Sequence, residues 1–253
     1  MPLVMAACGE GTAPPPEAPV APAGSPATSP AAPASGAYVP GPVTAGGRIA
    51  GRVVYAGAAP PARPVAVTKD HAVCGRTAHV AEGLLVGDGG GLINAVVSID
   101  GIAAGKPFGA ARTVLDQRGC WFVPHVLVVP AGAPLDILNS DGILHNIHTF
   151  PRNNPAINMA QPRFKKVMTH TFERPDLVRV ACDVHGWMGA WIVVAGHPYH
   201  AVTDAGGRFA LDEVPPGRWT IRVWHETLGE RTLETPVETG QAVEMTVTYP
   251  GRG

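Results

Sequence analysis

The sequence predicts an all-β protein, with two small β-sandwiches in series behind an extended leader. Three observations lead there. Glycine and proline are plentiful, 31 and 27 among 253 residues, a composition of short strands and many turns. Apolar residues alternate with polar ones in several short runs, the period of a half-buried strand, whereas helical periodicity is scarce. A formal net charge of -1 argues against nucleic acid or an anionic membrane surface as the main partner, since both need a basic patch.

The first residues, MPLVMAAC, resemble the tail of a bacterial lipoprotein signal, in which small residues precede a cysteine that is cleaved and lipidated. Residues 1–8 lack the charged start and the full apolar segment of such a signal. One reading is a lipoprotein anchored at Cys8 whose start codon has been placed too late; the other is an incidental apolar terminus. No other stretch is apolar for long enough to span a bilayer. Residues 9–45 are almost wholly Ala, Pro, Gly, Ser and Thr, which cannot bury a core and form a tether. In a polyproline-like conformation it would reach on the order of 100 Å at ~3.1 Å per residue.

Strand patterning begins with RIAGRVVY at 48–55, continues with PVAVT at 64–68 and resumes with LINAVVSI at 92–99. GDGGG at 87–91 lacks the lysine and the following helix of a phosphate loop and is read as a turn.

The chemistry lies further on. In LVRVAC at 177–182 the alternation puts Val178, Val180 and Cys182 on one face, so the cysteine points inward. Asp183 and Gly186 favour a loop, which lets His185 and Met188 curl back toward Cys182 before GAWIVVA at 189–195 resumes as a strand. LHN at 144–146 supplies a second imidazole, His145. A thiolate, two imidazoles and a thioether at one point make the trigonal site with a weak axial methionine that selects copper.

These segments resemble the cupredoxins, most closely the small plastocyanin and amicyanin type. PHVLVVPAGAPLDILN at 124–139 is similar to the family's strand, glycine turn and strand ending at an asparagine. SDGILHNIHTF at 140–150 is similar to the loop of its first histidine ligand, including the asparagine that follows. TFERPDLVRVACDVHGWMGAWIVV at 171–194 is similar to its closing hairpin, with the C-x-x-H-x-x-M spacing of amicyanin-like members. The resemblance covers residues 120–195 well and the region before only loosely. It implies a Greek-key β-sandwich over residues 46–196 and one type 1 copper, held by His145, Cys182, His185 and Met188. It also implies Asn146 behind the ligands, tying the two ligand loops together, and His185 at the surface as the electron exit.

The remaining cysteines, Cys74 and Cys120, can pair as a disulfide, which suits an oxidising compartment. The competing arrangement is a zinc site made with His71 and His125. His148 lies an odd offset from His145 in an extended segment and so faces the other way. His125 reads as a half-buried histidine beside a proline. Trp187 and Trp191 are candidates for an apolar rim near the metal, with core packing as the alternative for either.

After residue 196 the pattern changes. AVTDAGGRFALDEVPPGRWTIRVW at 201–224 resembles the carboxypeptidase regulatory-like domain, a transthyretin-like β-sandwich, through its T-D-x-x-G-R-F turn and Pro-Pro-Gly bend. Val243, Met245, Val247 and Tyr249 line one face of a last strand. Residues 197–253 are short for the whole module, so its first strands come from 189–196 or from 48–99. His197, His200 and His225 show no ligand spacing and read as surface or turn residues.

The function implied is that of an extracytoplasmic, lipid-tethered blue copper protein passing single electrons between redox proteins such as a cytochrome c, a dehydrogenase or a terminal oxidase. Enzymatic copper chemistry would need further histidines at a second site; Cys182 is flanked by Ala181 and Asp183, not by the histidines that link sites in multicopper oxidases. A copper storage or delivery protein, or a structural or adhesive module, remains as the alternative.

Overall fold

The computed structural model describes residues 37–251. In chain order come β1 (Val39–Pro40), β2 (Gly47–Ala56), the one-turn helix α1 (His71–Cys74) and β3 (Val96–Asp100). Then follow β4 (Ala104–Gly105), β5 (Thr113–Gln117), β6 (Phe122–Val123), β7 (Val126–Pro130), β8 (Pro134–Asn139) and β9 (His145–Phe150). Next are β10 (Asn158–Gln161), β11 (Val167–Thr171), β12 (Asp176–Ala181) and β13 (Gly189–Ala195). The chain closes with β14 (His200–Val202), β15 (Arg208–Val214), β16 (Gly217–His225), β17 (Gly229–Val237) and β18 (Ala242–Pro250). The described chain is thus all-β, with two sandwiches as expected.

The first sandwich faces a five-stranded sheet, β10-β9-β12-β13-β7, with a four-stranded one, β11-β8-β5-β6. Alternation drives its packing. Val178 and Val180 of β12 and Ile192 of β13 are fully buried, facing Leu135 and Ile137 of β8 across the core. Gly132, at φ 77°, makes the turn between β7 and β8 where a side chain would be strained. The second sandwich sets β14-β3-β16-β17 against β15-β2-β18. Val247 and Tyr249 of β18 are buried with Ile49 and Val53 of β2, and the Tyr249 hydroxyl donates to the Val223 carbonyl at 2.8 Å. β2 and β18 run parallel, and at Gly51 they touch: a Cβ there would lie 1.8 Å from the Met245 carbonyl oxygen.

The pairing does not follow the expected division at residue 196. β2 and β3, placed by sequence in the copper domain of residues 46–196, instead bond to β15, β18, β14 and β16. They are strands of the second sandwich, which draws on residues 48–99 as well as on those after 196. The first sandwich is therefore inserted between β3 and β14 of the second. Residues 37–45, expected within the tether, include ordered contacts with the second sandwich. Val39 pairs with Ala104, and the Tyr38 hydroxyl donates to the Lys106 carbonyl at 2.7 Å, because the Tyr38 ring packs on the second core. Cys8 and the rest of the expected signal lie outside the described residues. Among the described residues no helix is long and apolar enough to cross a membrane.

Between β2 and β3 an arm leaves the second sandwich, packs Val67, Val73 and Cys74 on the first core, and returns with Leu84, Val86, Leu92 and Ala95 in the second. The strand expected at 64–68 is only a single bridge, Pro64 to Val80, since Pro60, Pro61 and Pro64 cannot donate to a ladder. GDGGG at 87–91 is a turn, with Gly89 and Gly90 at φ 60° and 76°.

Candidate metal centre

Two loops at one end of the first sandwich converge. β9 starts at His145, and β12 delivers Cys182 just past its end. The loop from Cys182 to β13 is closed by two backbone bonds, Met188 N–H to His185 O at 2.9 Å and Cys182 N–H to Met188 O at 3.3 Å. Ligand atoms of His145, Cys182 and His185 lie within 4.8 Å of one another, all three residues buried. His145 Nδ1 is 3.0 Å from His185 Nδ1, and His185 Nδ1 is 3.9 Å from Cys182 Sγ. Met188 is buried in the same core as Cys182.

These separations fit a single ion of the size that Cys and His bind. With metal–nitrogen bonds of about 2.0–2.1 Å, nitrogens 3.0 Å apart subtend about 94° at the ion. With a metal–sulfur bond of about 2.3 Å, the 3.9 Å sulfur–nitrogen distance subtends about 127°. Such angles suit a trigonal His2Cys set.

Both histidines are oriented from behind. His145 Nε2 donates to Asp141 Oδ2 at 2.9 Å, and His185 Nε2 donates to Asp70 Oδ2 at 2.9 Å, which leaves each Nδ1 aimed at the sulfur. Asp141 also accepts the N–H groups of Gly119 at 2.6 Å and Cys120 at 2.8 Å. Burial disfavours charge on His145, but Asp141 and Cys182 outweigh it and raise its pKa. Burial would raise the Cys182 thiol, yet His145 and the Asn146 N–H, 3.4 Å from Sγ, bring it below the ordinary value. The pair thus favours a thiolate, the form that binds metal. His185 is lowered, chiefly by burial.

Asn146 joins the two ligand loops. Its Oδ1 accepts the Asp183 N–H at 2.5 Å, and its Nδ2 donates to Asn158 Oδ1 at 2.5 Å. His148 faces outward, with Asp183 Oδ1 at 3.0 Å and the Phe150 ring stacked 4.3 Å away.

Several expectations are corrected. His185 is not an exposed exit: its side chain is 0 % accessible, because the arm covers it. Cys74 and Cys120 form a disulfide, which removes the thiolates that a zinc site with His71 and His125 would need. That also disposes of a second cluster, Cys120 with Asp141 and His145, as a thiolate site. Trp191 belongs to no rim at the metal. It lies between the sandwiches, donating to Glu226 Oε2 at 2.9 Å and meeting Trp224 edge-on at 5.0 Å. Trp187 does lie beside the centre, 5.1 Å from the His185 ring, with its N–H donated to the Cys120 carbonyl at 3.2 Å. His225, at the end of β16, is 1 % exposed and so is not a surface residue, while His200 in β14 is half-buried.

His125 has a structural role that its spacing did not show. Its side chain, 8 % exposed, lies between Glu226 of the second sandwich and Glu82 of the arm, while its Nδ1 donates to the Gly189 carbonyl at 3.1 Å. Burial pushes its pKa down, but the two carboxylates prevail and raise it to about 9. Asp70, Asp141, Glu82 and Glu226 were not singled out from sequence; an aspartate four residues before His145 was the one available signal, and it is a common spacing.

No known family profile matches the chain, and no curated protein does. Among solved structures it is similar to a purple cupredoxin from Nitrosopumilus maritimus, at 20 % identity over 33 % of this chain and 99 % of that one, with a TM-score of 0.28. It is similar to amicyanin from Paracoccus versutus, at 15 % identity over 34 % of this chain and 84 % of that one, TM-score 0.29. It is also similar to a copper-containing nitrite reductase from Thermus scotoductus, at 21 % identity over 36 % of this chain and only 24 % of that one, TM-score 0.30.

Proposed function

We propose that the chain is a type 1 copper protein that carries single electrons between extracytoplasmic redox proteins. The observation that carries this reading is the meeting of His145 Nδ1, His185 Nδ1 and Cys182 Sγ in a buried pocket, with both Nε2 atoms already engaged. His145, Cys182 and His185 would hold the ion, with Met188, buried in the same core, as a further, weaker ligand. Copper bound there would supply one-electron chemistry.

The protein's part is to keep the ligands still. Asn146 fixes the spacing of the two loops, Asp141 and Asp70 fix the ring planes, and the apolar core around Cys182 and Met188 excludes water. A site that already holds its shape rearranges little on gaining or losing an electron. The partner meets the centre where Leu144, 46 % exposed, adjoins buried His145; small apolar contacts of this kind suit a transient encounter. The Cys74–Cys120 disulfide supports a location outside the cytoplasm, with Cys8 as the lipid anchor.

Titration with Cu(II) tests the reading. One equivalent should bind and give the intense visible absorption of thiolate-to-copper charge transfer, and Cys182→Ser should abolish it. Absence of that absorption in the copper-loaded wild type would end the proposal.

A further inference from the structure

The arm from the second sandwich does something at the metal end that the ligands alone do not explain. Its Asp70 reaches His185 Nε2 at 2.9 Å and leaves that imidazole without solvent contact, although Asp70 itself is 39 % exposed. The carboxylate is held in place by its own backbone. Asp70 is left-handed, φ 50° and ψ 42°, a conformation that few residues other than glycine, asparagine and aspartate adopt readily. Its carbonyl accepts the N–H groups of Val73 and Cys74, both at 2.9 Å. The arm is closed behind it, with Val65 N–H on the His79 carbonyl and Ala81 N–H on the Arg63 carbonyl, each at 2.9 Å.

Cys74 then crosses by its disulfide to Cys120, whose N–H binds Asp141, the carboxylate behind His145. The two histidines are thus backed by carboxylates that hang from one covalent link, one on each side of it. Ligand loops alone would leave the His185 ring free to turn about its side-chain bonds and open to water. The arm removes both freedoms.

We propose that Asp70 is a positioning residue for the metal, a carboxylate carried in from the second sandwich that locks the His185 ring for Nδ1 coordination and seals it from solvent and partner. This rests on the copper reading above. An outer carboxylate on a ligand histidine fixes its tautomer and raises its basicity, and losing such a group typically costs about 10–100-fold in metal affinity.

Two variants separate positioning from folding. Asp70→Gly removes the carboxylate while suiting the left-handed backbone, and Asp70→Asn keeps shape and conformation but not charge. Asp212→Asn, at an exposed carboxylate paired with Arg48 in the second sandwich, is the control. In Cu(II) competition against a chelator, Asp70→Gly should bind about 10–100-fold more weakly than wild type, Asp70→Asn should fall between, and the control should match wild type. The reduction potential should rise in both Asp70 variants, since removing a negative charge disfavours Cu(II).

The second readout needs no copper. In the metal-free chain, NMR should find the His185 Nε2 proton slow to exchange with water in the wild type and fast in Asp70→Gly. Equal Cu(II) affinity in Asp70→Gly and wild type, an equal loss in Asp212→Asn, or unchanged proton exchange would each overturn the proposal. If wild-type protein fails to bind Cu(II), the copper reading falls, while the exchange comparison still decides whether Asp70 holds His185.

Discussion

His125 ties the two sandwiches together, and its titration gives that tie a number. Protonated, it donates to Glu226 from one ring nitrogen and lies against Glu82 and the Gly189 carbonyl with the other. Its pKa rises to about 9 from about 6.5 in the unfolded chain. A group whose folded pKa is raised stabilises the fold fully below the unfolded value and loses that contribution as pH climbs through the folded one. At about 1.4 kcal/mol per unit, the contact contributes about 3 kcal/mol at pH 6, about 1 kcal/mol at pH 8 and almost nothing at pH 10. Glu226 is lowered by the same contact, so the two shifts describe one interaction and do not add.

Urea denaturation of wild type and His125→Gln across pH 6 to 10 measures it. The stability gap should shrink by about 3 kcal/mol over that range, and the comparison cancels other groups that titrate there. A gap that stays constant with pH, or widens, would refute the assignment of His125 as a protonated bridge.

On the acid side the sign reverses. His225 and His200 are lowered by burial to about 4 and about 3, so the unfolded chain takes up protons first and stability falls as pH drops from about 6.5 toward 4; His225→Phe should flatten that limb in the same denaturation series. Cys74→Ser with Cys120→Ser releases a loop of separation 46 and should cost about 4 kcal/mol by chain entropy, read from the shift of the denaturation curve against wild type. Gly207→Ala places a Cβ 2.3 Å from the Val53 carbonyl oxygen at φ 72° and should destabilise by about 2–4 kcal/mol, with an unchanged midpoint counting against this geometry. Asn146→Ala frees the Asp183 N–H and uncouples the ligand loops, so Cu(II) affinity should drop about 10-fold by chelator competition.

The parts of the fold legible in the sequence are those with local periodicity. β12 shows its inward face through Val178, Val180 and Cys182, and β18 shows its own through Val247 and Tyr249, because a strand's faces alternate whatever it pairs with. The convergence of His145, Cys182 and His185 was legible for a similar reason: Cys182 and His185 are confined to one short loop, and His145 opens a strand beside it. Pairing partners are another matter. Nothing local in 48–55 says that β2 will lie parallel to β18 almost two hundred residues later, so the inserted order of the sandwiches was hidden. The same holds for Asp70. Its role depends on an arm folding back across a sandwich to which it does not belong, and a lone aspartate before a histidine carries no trace of that. His225 carries no ligand spacing, and its burial follows only from its place in β16, which its local sequence does not disclose.

The insertion has a consequence for how the molecule can be taken apart. β3 ends at Asp100 and β14 begins at His200, yet these strands are antiparallel neighbours with Ser98 opposite His200. The chain therefore leaves and re-enters the outer module almost at the same spot, like a detour off a hairpin. Splicing two residues in place of 101–199 would leave a four-residue connection between the paired Ser98 and His200, a short hairpin loop, at the loss of buried Ile102 and Tyr199. Cutting the backbone once inside the excursion would leave both fragments held by the outer module, with the metal end still clipped to it through Cys74. The first sandwich is in this sense a guest domain whose two covalent leads share one doorway and whose far corner is stapled to its host by the Cys74–Cys120 disulfide.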